Sequence, residues 1–163
     1  ALGMTTGISH LEWFRRDRGR VGRAQGDDVG PVAISEVGAR PPGAQILSIN
    51  SYAHEVDFYK LWARLIVHEV FDPPRRRFAA GAAFFRGQGG DPRGPRRVVQ
   101  VHGLEQAQKE LGHLVVEARL PQVGQPRADT YEGEGYAILR HPDTDVVEQA
   151  LQRLVGLVRV ELG

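Results

Sequence analysis

The chain has 163 residues, 41% hydrophobic and 25% charged, the make-up of one folded domain, or one small domain plus an appendage. Its 21 Lys and Arg against 20 Asp and Glu leave a formal charge of +1, which argues against a dedicated nucleic-acid binder. The absence of cysteine excludes disulfides, Cys-ligated zinc and thiol catalysis, and no apolar run reaches the roughly 18 residues of a membrane span. A cytoplasmic protein is expected, with neither nucleic acid nor membrane among its partners. The chain opens at Ala1 without an initiator methionine, Met4 being the single methionine, so a fragment of a longer polypeptide is expected.

The first predicted strand is Ile8 to Phe14, with Ile8, His10, Glu12 and Phe14 on one face and Ser9, Leu11 and Trp13 on the other. Arg15 to Pro31, with Gly19, Gly22, Gly26 and Gly30 among arginines and aspartates, reads as a long hairpin loop. Val32 to Glu36 is the second strand. The run Val37 to Gly43 then breaks regular structure, because glycine permits unusual backbone angles and Pro41-Pro42 removes two donors. A short helix is predicted from Ala44 to about Tyr52. A longer one from about Glu55 to Val70 carries Phe58, Leu61, Trp62, Leu65 and Ile66 as its apolar stripe, and Asp72-Pro73-Pro74 stops it.

Strands and helices alternate thereafter. Phe78 to Arg86 is a strand, Gly87 to Arg96 a loop, Arg97 to His102 a strand and Gly103 to Leu111 a short helix. His113 to Ala118 and Gly135 to Arg140 are strands, separated by a Pro/Gly loop from Pro121 to Glu134. The last helix opens at Asp145, with Glu148 completing a capping box, and buries Val147, Leu151, Leu154, Val155 and Val158. The fold class is α+β, its sheet mostly antiparallel with packed helices. Residues 1–74 and 75–163 are expected to form separate parts, the second a small α+β domain.

The most informative pair is Glu12 and Glu36. If the first two strands fold back about Ala24, these carboxylates face each other, and like charges directly opposite are destabilising. A shared proton would relieve the repulsion; a hard divalent cation, which prefers carboxylate oxygens, would relieve it better. Arg40 emerges from the same break, where its fork suits a phosphate. Two strand carboxylates, a cation and a loop arginine describe a nucleotide-phosphate site; two solvated glutamates on a surface hairpin are the plain alternative.

Other candidates are weaker. Gly87-Gln88-Gly89-Gly90, with Arg93, Arg96 and Arg97, has phosphate-cradling composition but lacks the Gly-Lys-Ser/Thr ending of a P-loop, and reads better as a hairpin tip. Arg75-Arg76-Arg77 reads as a solvated run beside a Pro-Pro stop. His10, His54, His68, His102, His113 and His141 show no metal-ligand spacing, and His10 alone shares the Glu12 face. No Gly-x-Ser-x-Gly elbow surrounds Ser35, Ser48 or Ser51. Trp13 and Trp62 are assigned to the core.

Glu12-Trp13-Phe14 followed by Ile34-Ser35-Glu36-Val37-Gly38-Ala39-Arg40-Pro41-Pro42-Gly43 resembles the carboxy-terminal portion of the ATP-grasp superfamily. The similarity is greatest to the formate-dependent phosphoribosylglycinamide transformylase branch, with biotin carboxylase and carbamoyl-phosphate synthase more distant. Phe78 to Ala82, Val98 to Gly103 and the strand from Gly135 follow the order of that region. The resemblance implies that Glu12 and Glu36 hold Mg²⁺, or Mn²⁺ in its place, on the phosphates of ATP. It further implies that Arg40 contacts phosphate or the activated intermediate, with His10 lining the site. The implied reaction is ligation: ATP phosphorylates a small-molecule carboxylate and an amine or thiol attacks the acyl phosphate. Residues 1–74 then belong to the end of the ATP-grasp domain, and an amino-terminal half, in the same or a partner chain, completes it. Alone, the segment is expected to show little turnover. Gly38 stands where carboxylase-like members carry asparagine, and Tyr131 to Glu134 replaces the basic residues that hold a phosphoribosyl substrate. A different reading, from the exposed edges of an incomplete sheet, is a non-catalytic binding or assembly module that docks a partner or forms a homodimer.

Overall fold

The computed structural model describes residues 7–15, 32–89 and 96–163. The predicted hairpin loop therefore lies, beyond Arg15, outside the described residues, as do residues 90–95 of the loop expected at Gly87 to Arg96. The elements are β1 (His10–Arg15), β2 (Val32–Gly38), α1 (Ile46–His54), α2 (Phe58–His68), β3 (Ala79–Phe85), β4 (Gly87–Gly89), β5 (Val98–His102), α3 (Leu104–Leu111), β6 (Val115–Arg119), β7 (Gly135–His141), α4 (Thr144–Leu157) and β8 (Arg159–Leu162). A 3-10 turn, Gly112–Leu114, joins α3 to β6. Among the described residues no helix is long and apolar enough to cross a membrane. The chain divides into two compact units, one of residues 1–43 with 59–71 and the other of residues 44–58 with 72–163.

The first unit holds the β1–β2 hairpin and all of α2 after Phe58. The hairpin is antiparallel, pairing His10 with Gly38, Leu11 with Val37 and Glu12 with Glu36, before a bulge shifts the register so that Trp13 meets Ile34. Ser35 is the extra residue of that bulge. Both faces of this two-stranded ribbon are open to solvent. Trp13, assigned to the core from sequence, is 55% exposed, and Ile34 opposite it is 67% exposed. The apolar alternation is real, but among the described residues of this unit no layer covers it. Of the stripe predicted on α2, Leu65 is buried while Ile66 is exposed.

The second unit contains the hydrophobic core. β3, β7 and β6 form an antiparallel sheet in that spatial order, and β4, β8 and β5 form a second in which β4 runs parallel and β5 antiparallel to β8. Alternation on β7 sends Ala137 and Leu139 to one face, where they meet Ala83, Phe85, Leu111, Ala150, Leu154, Val160 and Leu162. Tyr136, Ile138 and Arg140 point to the other face, where α1 lies; the Arg140 guanidinium donates to the Tyr52 carbonyl at 3.4 Å.

Several boundaries differ from the sequence-based expectation for identifiable reasons. α1 starts at Ile46 because Ala44 and Gln45 are both left-handed, at φ 51° and 63°. Glu55, expected to open the second helix, is instead the left-handed cap closing α1, at φ 56°. Asp143, not Asp145, caps α4: its carboxylate accepts from the Asp145 amide at 2.9 Å. Val158 is extended and ends the helix, Val155 is exposed, and the following residues form the unforeseen β8. Gly87–Gly89, expected in a loop, is the strand β4.

Candidate functional site

The hairpin register places Glu12 directly opposite Glu36, with His10 two residues before Glu12 on the same face. Arg40 follows two residues after β2 and reaches back: its Nη2 donates to Glu36 Oε1 at 3.0 Å. Its Nη1 bonds the carbonyl of its own neighbour, Pro41, at 3.3 Å. His10 Nε2 lies 3.5 Å from Glu12 Oε1, so each carboxylate has a basic neighbour. His10 Nδ1 is buried without a hydrogen-bond partner. Gly38 supplies no donor but gives room: a Cβ there would sit 3.4 Å from Arg40 Cγ and 3.6 Å from Glu36 Oε1. All four site residues named from the sequence, His10, Glu12, Glu36 and Arg40, are thus gathered in one unit.

Chemically this is a water-accessible pair of hard oxygen donors beside a guanidinium. Glu12, Glu36 and Arg40 each keep about half their side chains exposed. Among the described residues no three His, Cys, Asp or Glu side chains converge as a metal cage. Two carboxylates nonetheless fit Mg²⁺, which usually takes one or two and fills its shell with water and phosphate oxygens.

The other sequence candidates separate from this site. Gly87–Gly89 pairs with β8, so the backbone groups on that edge are committed to a sheet and not to a phosphate cradle. Arg97 donates to the Gly124 carbonyl at 2.8 Å and Arg77 to Glu55 at 2.7 Å. Arg93 lies outside the described residues. Within the Tyr131–Glu134 run, Glu134 is buried, and its carboxylate accepts the amides of Gly87 and Ala128. That carboxylate ties the preceding loop to β4, a structural task. A mainly apolar cleft of about 510 Å³ lies in the second unit between α3, α4 and the β3–β7–β6 sheet. It includes none of the four site residues.

Sequence reasoning missed a polar cluster in the second unit. Glu117 accepts the hydroxyl of Tyr136 at 2.6 Å and that of Tyr52 at 2.9 Å. The Arg119 guanidinium stacks 5.4 Å from the Tyr136 ring centre and pairs with Glu132 at 3.2 Å. Glu132 also accepts from Gln45, whose own carbonyl oxygen accepts the Ser48 hydroxyl. The Glu117 hydrogen bond, reinforced by burial, pushes the Tyr136 hydroxyl up to about 12. Burial first, then the Glu117 bond, raises that of Tyr52. Glu117 lies in a short strand whose cross-strand partners are far away in sequence, so no local pattern marks it.

No protein-family description and no curated protein matches the chain. Solved structures do, including three enzymes. The L-amino acid ligase from Bacillus licheniformis superposes with a TM-score of 0.65 at 17% identity, over 97% of this chain and 38% of the ligase. For N5-carboxyaminoimidazole ribonucleotide synthetase from Thermotoga maritima the TM-score is 0.59 at 17% identity, over 95% of this chain and 37% of that one. Phosphoribosylglycinamide synthetase from Anaerococcus prevotii gives 0.51 at 12% identity, over 79% and 33%. All three are ATP-grasp enzymes, so the chain has the fold of part of an ATP-grasp enzyme, as the Glu12-Trp13-Phe14 and Ile34–Gly43 segments implied. It spans little more than a third of the structures it matches.

Proposed function

We propose that this chain is the carboxy-terminal portion of an ATP-grasp ligase-like protein whose Glu12–Glu36 hairpin holds the phosphate end of Mg-ATP. One observation carries the reading: on a fold shared with ATP-grasp ligases, two carboxylates stand opposite each other with an arginine already bonded to one of them. Glu12 and Glu36 are the groups that would hold Mg²⁺, or Mn²⁺, which supplies charge neutralisation on the phosphates. Arg40, half exposed, offers its fork to the transferred phosphoryl group and to the acyl phosphate that forms. In that reaction a carboxylate oxygen of the small-molecule substrate attacks the terminal phosphorus and ADP leaves. An amine or thiol then displaces phosphate from the carbonyl carbon. His10, 3.5 Å from Glu12 Oε1, lines the same site.

The remaining part of the nucleotide site belongs to polypeptide beyond this segment, in the same or a partner chain. The test is therefore magnesium-dependent ATP binding, by calorimetry, in a protein joining this segment to an ATP-grasp amino-terminal half. Glu36→Gln is expected to weaken binding at least about tenfold, the scale on which even the supporting residues of metal sites act. Unchanged binding in that variant favours the second reading, a non-catalytic docking module. The observation behind that alternative is the uncovered apolar face of Leu11, Trp13, Ile34 and Val37.

A further inference from the structure

We infer that Arg40 is an internal counter-ion that competes with a divalent cation for Glu36 and releases it when a phosphate draws the guanidinium away. The inference rests on reading Glu12 and Glu36 as the cation site, and concerns how that site is controlled.

Two opposed carboxylates repel unless something positive stands between or beside them. Here that positive group is already part of the chain: Arg40 Nη2 is 3.0 Å from Glu36 Oε1. Gly38 leaves the arrangement open, the Arg40 stem passing 3.4 Å from where a Cβ on residue 38 would stand, an ordinary van der Waals distance. Arg40 has little else holding it. Its second bond is to the carbonyl of Pro41, which moves with it, and its side chain is 54% exposed. A cation arriving alone must both displace the guanidinium from Oε1 and tolerate its charge nearby. Exposed ion pairs contribute about 0.2–1 kcal/mol, which sets the competition at up to roughly fivefold in cation affinity. A phosphate changes the balance, because it gives the fork a bidentate partner of higher charge than one carboxylate. Cation and phosphate then favour each other's binding by the same factor, as linkage requires.

The test uses the 163-residue chain and Mn²⁺ alone, followed by electron paramagnetic resonance. Arg40→Gln is expected to bind Mn²⁺ about two- to fivefold more tightly than the unsubstituted chain, while Arg40→Lys, which keeps the charge, restores the weaker affinity. Added inorganic phosphate should tighten Mn²⁺ binding by the unsubstituted chain and leave Arg40→Gln unchanged. If Arg40→Gln binds no more tightly while Glu36→Gln binds more weakly than the unsubstituted chain, the counter-ion role is wrong and the cation site stands. If Glu36→Gln binds Mn²⁺ as well as the unsubstituted chain, or none of the forms binds it, the cation site fails and the competition with it.

Discussion

Glu117 sits between two phenols, and the titration of Tyr136 reports on that arrangement. The fold favours the neutral Tyr136 hydroxyl, because ionising it would lose the hydrogen bond it donates to Glu117 and leave a charge partly out of water beside that carboxylate. Its pKa rises from the ordinary 10.0 to about 12. The stabilisation is therefore complete below pH 10 and is lost as the pH climbs through about 12. Tyr136→Phe is expected to destabilise the second unit by about 1–3 kcal/mol, the cost of leaving a partly buried acceptor one donor short. Thermal melts at neutral pH check this, and the high-pH loss of stability should shrink in the variant. At the proposed nucleotide site the legible features were residue types and spacing: two glutamates on neighbouring strands and an arginine after the break. Not legible was that Arg40 turns back onto Glu36, because this depends on the course of the chain after β2 and on the side-chain rotamer, which spacing does not fix.

At the scale of elements, strong local periodicity carried through and weak periodicity did not. α2 and α4 were found because apolar residues recur along one helical face. β8 was missed because Val158 lies four residues after Leu154 and prolongs the same pattern, so only the extended backbone at Val158 reveals the end of the helix. β4 was missed because Gly87-Gln88-Gly89 has almost no side chains to alternate. α1 begins two residues late because its entry bends through two left-handed residues, with Gln45 fastened to Glu132. Such backbone states cost on the order of 1–3 kcal/mol each and leave no trace in composition. The turn from β5 into α3 makes a sharper demand. Gly103 has φ +78°, and a Cβ there would collide with the Leu157 carbonyl oxygen at the end of α4. Gly103→Ala is expected to destabilise by at least about 2 kcal/mol, since neither backbone can move without breaking its own hydrogen bonds. Urea unfolding at unchanged m-value measures it.

For the molecule as a whole, the contrast lies between a second unit with a closed apolar core and a first unit whose ribbon is wet on both faces. Trp13 shows why the sequence misled on this point: alternation identifies an apolar face, whereas burial requires a covering layer that the described part of this unit does not supply. A chain spanning about a third of its structural neighbours exposes such a face readily. Ile34→Thr keeps β-branching while reducing exposed apolar surface. It should alter stability by no more than about 0.5 kcal/mol and reduce concentration-dependent association in sedimentation velocity. Stronger destabilisation would mean that Ile34 is covered after all.

β8 separates β4 from β5, which do not bond each other. Both outer strands of that small sheet therefore depend on Arg159–Leu162 arriving between them, and Gly87 must find Val160 across most of the second unit's length. Pairings so distant in sequence must close long loops, so weakening β8 is expected to slow refolding of the second unit more than weakening a helix, whose contacts are local.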